Sequence, residues 1–585
     1  MADTVPSNRE VADSLQLIGD LLEIEGAVRH RVLAYRRAAA RIRQTPASVA
    51  EMALAGRATD LPDIGATLQA KVAELATTGD IAALAKLRER LPVGLAAVAR
   101  LDGIGPKRAA ALWSELGVRD LDDLDAALTA GRVGALPGFG RATEERIAEQ
   151  LARRDEPGGA AGGERVPMGQ ALPLAEAVAD GLRAAVPGSR VEVAGSMRRG
   201  REDAHDVDLV GASENPADLL DALARSPMAE RVVARGDARC AVDTHVGVRV
   251  ELAVCPPERF GNLLQHATGS AAHNVRLREM AVRRGLSISE HGVAGPDGVA
   301  VHADEEDVYR AVGLHPVPPE LREDRGELEL AAAGPLPALV TRDDLRGELH
   351  CHSRWSDGTL TIARMVDAAR ARGYEYLAVS DHSQSLAMAG GLDPGRLRSQ
   401  WEEIAEVAAR HDDIAVLRAT EVDILADGRL DFDDDLLAEL DWVTASIHSG
   451  LGGPRERITA RLLAAIENPC VDAIGHPTGR MLGRRGHSAV DLDAVIAAAA
   501  ESGTYLEVNS QPRRLDLDAE MARRALAGGA RITIGADAHS DEALDYIRFG
   551  VLTARRAGAG PEDVANTRPW DELSRARRER LAGRA

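Results

Sequence analysis

From residue 345 onward the chain alternates short apolar runs with stretches of helical periodicity, and seven of the runs end in polar residues drawn mostly from His, Asp and Glu. They read Arg346-Gly-Glu-Leu-His350-Cys-His352, Tyr376-Leu-Ala-Val-Ser-Asp381-His382, Ala415-Val-Leu-Arg-Ala-Thr-Glu421, Trp442-Val-Thr-Ala-Ser-Ile-His448, Val471-Asp-Ala-Ile-Gly-His476, Tyr505-Leu-Glu507-Val-Asn509 and Ile532-Thr-Ile-Gly-Ala-Asp537-Ala-His539. The endings recur about every 30 residues, the length of one strand with its crossover helix in a parallel α/β fold. Seven such units predict a (β/α)7-type barrel, in which functional residues gather where the strands end. A lone His at a strand end is usually an ordinary core or surface residue, but seven repeats at one position make coincidence the poorer reading. His and carboxylate converging on one rim is a metal-site composition, with more donors than a single ion needs. The pattern points to a multinuclear metal hydrolase.

Residues 8–150 carry a different periodicity. Val11, Leu15, Leu17, Ile18, Leu21, Leu22 and Ile24 recur near helical spacing, and Ala-rich helical segments follow. Three interruptions share one form: Leu61-Pro-Asp-Ile-Gly65, Leu101-Asp-Gly103-Ile-Gly105 and Leu136-Pro-Gly138-Phe-Gly140. A Gly-x-Gly hairpin turns the chain tightly and presents N–H groups at the next helix start, where they can hold a phosphate without net positive charge. One copy would read as a plain helix–helix turn. Three copies predict helix-hairpin-helix binding of a DNA backbone through Gly65, Gly103, Gly105, Gly138 and Gly140, with Lys107 beside the best-formed hairpin. Asp63 stands where the first hairpin would carry its leading Gly, a position Asp tolerates.

Residues 153–168, rich in Gly and Ala, read as a flexible linker. Beyond it, Gly195-Ser196-Met-Arg198-Arg199 precedes Asp206-Val-Asp208. Alternation along a strand puts both carboxylates on one face, where they can share divalent ions. Asp-x-Asp alone is commonly a solvated strand end. With Gly-Ser and two arginines upstream to hold a triphosphate, it becomes the parts of two-metal nucleotidyl transfer.

Composition narrows the setting. At 585 residues, 45% hydrophobic and 28% charged, the chain is an ordinary globular protein of several domains. No apolar stretch is long enough for a membrane span, and the N-terminus lacks a basic-then-apolar leader, so a cytoplasmic location is expected. Cys240, Cys255, Cys351 and Cys470 show neither disulfide nor zinc-thiolate spacing. A net charge of −21 excludes indiscriminate adhesion to nucleic acid. The excess acid lies downstream, because basic and acidic residues nearly balance over residues 1–150. Lys71, Lys86 and Lys107 are the only lysines in the chain.

Asn8-Arg-Glu-Val-Ala12, the hairpins, Thr268-Gly269-Ser270-Ala-Ala-His-Asn274 and Pro318-Pro-Glu-Leu-Arg-Glu-Asp-Arg-Gly326 together make the chain resemble a bacterial family X DNA polymerase joined to a polymerase-and-histidinol-phosphatase (PHP) domain. The resemblance implies a multidomain fold. Its parts would be a lyase-like helical domain at 1–90, a fingers-like helix-hairpin-helix domain at 91–152, the linker at 153–168, an α/β nucleotidyltransferase palm at 169–260, a thumb-like subdomain at 261–326, a linker at 327–344, the PHP barrel at 345–570 and a basic tail at 571–585. The barrel's implied ligands, for up to three manganese or zinc ions, are His350, His352, Asp357, His382, Glu421, His448, His476, Asp537 and His539. That half would remove nucleotides from DNA 3′ ends.

In the palm, the resemblance implies magnesium or manganese on Asp206 and Asp208, with Glu251 as third catalytic carboxylate. Gly195, Ser196, Arg199, Gly269, Ser270, Asn274 and Arg278 match nucleotide contacts, and Arg31 and Tyr35 match a 5′-phosphate pocket. Lys71 matches the lysine some relatives use for Schiff-base excision of a sugar phosphate, although a helix lysine touching phosphate is the plainer reading. Three departures imply a weakened polymerase: Glu251 where the family has Asp, His205 where it has Gly, and His266-Ala267 where it has Tyr-Phe. The expected partners are gapped or nicked DNA, its 3′ ends and deoxynucleoside triphosphates, with no membrane, for a monomer acting in base excision repair. Two alternatives remain open, a fully active gap-filling polymerase and a DNA-end scaffold whose barrel is a small-molecule phosphatase.

Overall fold

Helical periodicity in the N-terminal region resolves into short helices joined by tight turns. The computed structural model describes residues 5–583 apart from 102, 137, 141, 142, 145, 146, 149 and 152–164, so the expected linker lies outside the described residues as far as residue 164. Ser7 and Glu10 form a capping box that satisfies free N–H groups of the helix Asn8–Ile24. Its apolar stripe, Val11, Leu15, Ile18 and Leu22, is buried in one core with Val32, Tyr35 and Ile42 of Arg29–Gln44. Each large aliphatic side chain so buried contributes ~1.5–3 kcal/mol.

The hairpins take the conformations their residues allow. Gly103, Gly105 and Gly138 have φ of 94°, 64° and 89°, and in the first hairpin Asp63 takes the left-handed turn at 67°. Gly65 instead keeps extended backbone as it starts the helix Ala66–Thr78. Arg108 donates to Gly103 O and lies 5.5 Å over the Phe139 ring, fastening the second hairpin to the third.

The described residues form two compact units. The first comprises the chain up to 166, 173–193 and 205–257, and includes a five-stranded mixed sheet. In spatial order its strands are Arg190–Val193, Asp206–Ala212, Arg249–Cys255, Arg239–Thr244 and Ala229–Arg235. The second and third run parallel, which sets Asp208 beside Glu251 and Asp206 beside Arg249.

The second unit, 167–172, 194–204 and 258 onward, contains the barrel. Seven parallel strands follow in chain order: Gly347–Cys351, Tyr376–Val379, Ala415–Asp423, Trp442–Ser446, Ala473–Ile474, Tyr505–Asn509 and Ile532–Gly535. A parallel bridge from Cys351 to Ala538 brings the first and last strands together, so the sheet is a nearly closed barrel. Interior residues at the strand starts, Tyr376, Trp442 and Tyr505, pack with Ala565 and Leu573. The starting ends are thereby plugged, and the opposite rim is left for polar residues.

Two expectations about this unit are corrected. Residues 327–344 are no linker: Glu327–Ala333 is a helix whose Leu328 and Ala331 belong to the same core as Leu277, Val308 and Tyr309, and Glu327 accepts from His273 Nδ1 at 2.7 Å. Residues 571–585 are no tail where described. Trp570–Ala582 is a helix that buries Leu573 and pairs the buried Arg577 with Asp472. A further buried ion cluster holds Glu305 between Arg322 at 2.6 Å and Arg198 at 2.8 Å. Burial raises the Glu305 carboxyl, but the two guanidiniums outweigh it and hold it at about 2.

Candidate metal centre

All nine expected ligands sit at or just past the C-terminal ends of barrel strands, or on the first loop beyond them. His350 is the last but one residue of the first strand and His352 follows it, with Asp357 on the next loop; His382 follows the second strand. Glu421 lies near the end of the third, His448 follows the fourth, His476 the fifth, and Asp537 and His539 the seventh. Parallel strands point their last residues toward one rim, which is why residues nearly 200 positions apart in sequence converge.

Glu421 is central. Its carboxylate oxygens lie 2.8 Å from His476 Nε2, 2.9 Å from His382 Nδ1, 3.3 Å from His448 Nε2, 3.5 Å from His350 Nε2 and 3.6 Å from His352 Nε2. Three groups keep their donor atoms within 4.8 Å of one another: His352, Asp357, His382 and His539; His350, His352 and Asp537; and His382, Glu421 and His448. His352 and His382 each belong to two groups, so the groups form one connected centre.

The donors fit divalent cations. His350 Nε2, both nitrogens of His352, His382 Nδ1 and His476 Nδ1 are buried without a hydrogen-bond partner. His382 Nδ1 is 2.9 Å from Glu421 yet is not aligned to bond with it. Imidazole lone pairs and carboxylates facing one another in this way need either protons or cations between them. Burial raises the Glu421 and Asp537 carboxyls, but the surrounding histidines outweigh it and hold both well below the ordinary range. Bound cations would supply the same compensation.

The outer faces of the ligands are also held. His350 Nδ1 meets Glu507 at 2.6 Å, His448 Nδ1 meets Asp423 at 3.1 Å, and His539 Nδ1 meets Asp537 O at 2.8 Å, contacts that fix ring orientation. Asp381 accepts from Ser353 N and Oγ at 2.8 and 2.6 Å and from Ser356 Oγ, tying down the loop that carries Asp357. His476 and Asp537 have φ of 30° and 49°, left-handed backbone that costs ~1–3 kcal/mol each in non-glycine residues and persists where the surroundings demand it.

Sequence reasoning missed Glu348 and Asp423 and gave no role to Glu507. Glu348 lies in a strand buried at every position, accepts from His350 N at 2.9 Å and Ala536 N at 3.1 Å, and is pushed up to about 7 by burial. A carboxylate inside an apolar core strand was the available signal for Glu348 and Glu507.

The residues expected to form a palm are arranged differently. Asp206, Asp208 and Glu251 share one face of the first unit's sheet and are half-buried. They are not among the groups whose donors lie within 4.8 Å. His205 is exposed, with Nε2 2.9 Å from Arg165 Nη1. Lys71 lies half-buried on Ala66–Thr78, Arg31 is exposed, and Tyr35 is buried; burial raises the Tyr35 phenol, partly offset by its bond to Arg31. Lys107 is exposed beside its hairpin, and Gly140 is exposed.

The expected nucleotide contacts belong to the second unit, and Asp206, Asp208 and Glu251 to the first. Gly195 and Ser196 open the short helix Gly195–Arg198. Arg199 Nη1 donates to Thr268 O at 2.5 Å, its Nε lies 3.2 Å from Glu323, and a side chain on Gly269 would crowd Arg199. Ser270 caps Ala271–Val282. Asn274 Nδ2 donates to His266 O at 2.8 Å, and His266 faces Glu290 at 3.2 Å and Arg278 at 3.5 Å.

Family models match along this arrangement: a helix-hairpin-helix domain over residues 6–81, a SAM-like helix-hairpin-helix tandem over 96–153, the DNA polymerase beta thumb over 263–323 and the PHP domain over 348–511. A protein of Bacillus subtilis (strain 168), named DNA polymerase/3′-5′ exonuclease PolX, is 36% identical over 569 residues, 97% of this chain and 98% of that protein. The chain belongs to the family X DNA polymerases that carry a PHP domain. It is a family of enzymes, and its members' barrels have shorter relatives. A probable phosphatase of Thermoanaerobacter sp. (strain X514) is 28% identical over 218 residues, 35% of this chain and 84% of that protein. One of Vibrio atlanticus (strain LGP32) is 31% identical over 208 residues, 34% of this chain and 79% of that protein. As a family X polymerase with helix-hairpin-helix and thumb domains, the chain binds DNA and its chemistry uses divalent metals. Among the described residues, no helix is long and apolar enough to cross a membrane.

Proposed function

We propose that this chain is a DNA repair enzyme that grips gapped or nicked DNA through its hairpins, trims 3′ ends as a 3′-5′ exonuclease in the barrel, and extends them with a detuned palm. The observation that carries the reading is the connected set of three donor groups on a barrel that shares its chain with polymerase and DNA-binding domains. The donor types suit manganese or zinc in the barrel, up to three ions, and magnesium or manganese on the palm. Such cations supply Lewis acidity toward phosphoryl oxygens and water. The chain's own residues do the positioning: Glu507 and Asp423 orient His350 and His448, and Asp381 holds the loop of Asp357.

Detuning of the palm follows from Glu251, whose extra methylene shifts a ligand atom where magnesium tolerates little displacement. Ser196, Arg199, Asn274 and Arg278 would serve the incoming deoxynucleoside triphosphate, and Lys71 a phosphate on the 5′ side of the gap.

A second reading, a barrel phosphatase for small molecules, is favoured by the probable phosphatases that match the barrel alone. A paired assay decides: extension and 3′ digestion of one gapped duplex with each metal, against hydrolysis of a phosphomonoester. Digestion that outpaces phosphomonoester hydrolysis and vanishes in His350→Ala supports the nuclease. Digestion that survives this substitution removes it.

A further inference from the structure

Two loops leave the barrel rim beside the ligands and are laced together. The loop after His476 carries Arg480, Arg484 and Arg485, and the loop after Asn509 carries Arg513 and Arg514. Leu482 N donates to Arg513 O at 2.7 Å, Thr478 Oγ1 donates to the buried Asp516 at 2.9 Å, and Arg480 donates to Leu515 O. The second loop is also anchored on the centre, because Gln511 Nε2 donates to Asp537 O at 2.7 Å and Gln511 N to Asn509 Oδ1 at 3.1 Å. The backbone that carries the loops' cations is therefore held at a fixed place relative to the expected ligands.

The five arginines divide by environment. Arg480 is buried and faces Glu202 at 2.7 Å and Asp518 at 3.8 Å, and Arg485 donates to Gly479 O at 2.6 and 2.9 Å; both are engaged within the protein. Arg514 stands beside the centre, with Nε 3.7 Å from Asp537 Oδ2 and its side chain 21% exposed. Arg484 and Arg513 are exposed, and among the described residues neither side chain has an acidic partner. Elsewhere on the barrel, Arg370, Arg372 and Arg398 are each paired with carboxylates. Like charges gathered on adjoining loops weaken the fold unless an anion answers them, and a guanidinium fork matches phosphate.

We propose that these loops form a phosphate-binding saddle for a single-stranded 3′ end, with Arg514 at the phosphodiester nearest the ligands and Arg484 and Arg513 on phosphates farther along the same strand. This rests on the nuclease reading of the barrel. Contacts of this kind position a strand without reading its sequence. The saddle explains how an acidic chain holds a DNA end at the barrel after the hairpins have gripped the duplex.

The test uses the full-length protein and compares a single-stranded oligonucleotide with bis(p-nitrophenyl) phosphate, a phosphodiester too short to span the saddle. R484Q/R513Q is expected to lower the ratio of oligonucleotide to dye-ester kcat/KM by about 10-fold, chiefly through KM, and to reduce the salt slope of log KM by ~1.4, the value for two single-strand phosphates. R484K/R513K should restore both, because a point charge suffices at a backbone phosphate. A readout without catalysis comes from EDTA-treated protein: an oligonucleotide ending in 4-thiothymidine should photocrosslink to the segment 510–516 in the parent and not in R514Q. A parent protein that digests DNA while R484Q/R513Q keeps its ratio and salt slope overturns the saddle. A parent that hydrolyses the dye ester but not DNA overturns the nuclease reading instead.

Discussion

Glu421 on the barrel rim lies within 3.6 Å of five imidazoles, whereas Asp206, Asp208 and Glu251 share a half-buried sheet face without drawing together inside 4.8 Å. The barrel assembles its donors from six of its seven strands and braces them from behind with Glu507, Asp423 and Asp381. The first unit's sheet has its three carboxylates on two adjacent strands, and under the proposed palm role ions and substrate phosphates would draw them together. A prepaid centre of the first kind tolerates little change in any ligand. A centre of the second kind would depend on the reach of each side chain, and in the proposed palm Glu251 would alter that reach.

The largest effect expected from this contrast is in Glu421→Gln, which removes the charge facing five histidines. Release of 3′-terminal label should fall at least about 1000-fold, with loss of bound metal by elemental analysis, while primer extension persists. Metal content and digestion unchanged from the parent would break the comparison on the barrel side. Acid should next separate the two units, because the Arg198–Glu305–Arg322 cluster belongs to the second alone. The Glu305 carboxyl is held at about 2 against an ordinary 4.5, so its stabilising contribution is complete above pH 4.5 and is lost as pH falls toward 2. The full loss amounts to about 3 kcal/mol. Denaturant midpoints of Glu305→Gln should fall less than the parent's between pH 6 and pH 3, and parallel curves would remove the effect.

Glu507→Gln keeps shape but weakens the orientation of His350, and metal affinity measured by chelator competition should drop ~10–100-fold. Unaltered affinity would mean that the bracing is incidental. The smallest effect sharpens the palm side: Glu251→Asp should raise extension about 10-fold by restoring ligand reach, with no change in 3′ digestion. Slower extension in that variant would mean that this palm is adapted to the longer side chain.

Much of the barrel was legible because strand-end residues recur in register with the α/β period, and all nine expected ligands do reach the rim. Glu348 and Asp423 were not, since a residue one or two positions from a ligand looks like part of the strand until its partner on another strand is known. Residues 327–344 and 571–583 were misread for a related reason. Residues 327–344 hold two prolines and little periodicity, residues 571–583 are rich in charge, and burial of Leu328, Ala331, Leu573 and Arg577 depends on surfaces supplied by distant segments.

The amino-acid sequence by itself determined the family resemblance, the parallel α/β barrel and the recurrence of His, Asp and Glu at its strand ends, because local period and residue chemistry are written along the chain. Only the tertiary structure decided that Glu421 is the hub, that Arg514 stands beside Asp537, and that the palm carboxylates align without closing. Those are distances between segments far apart in sequence, and they are set by strand register and barrel closure, not by any local pattern.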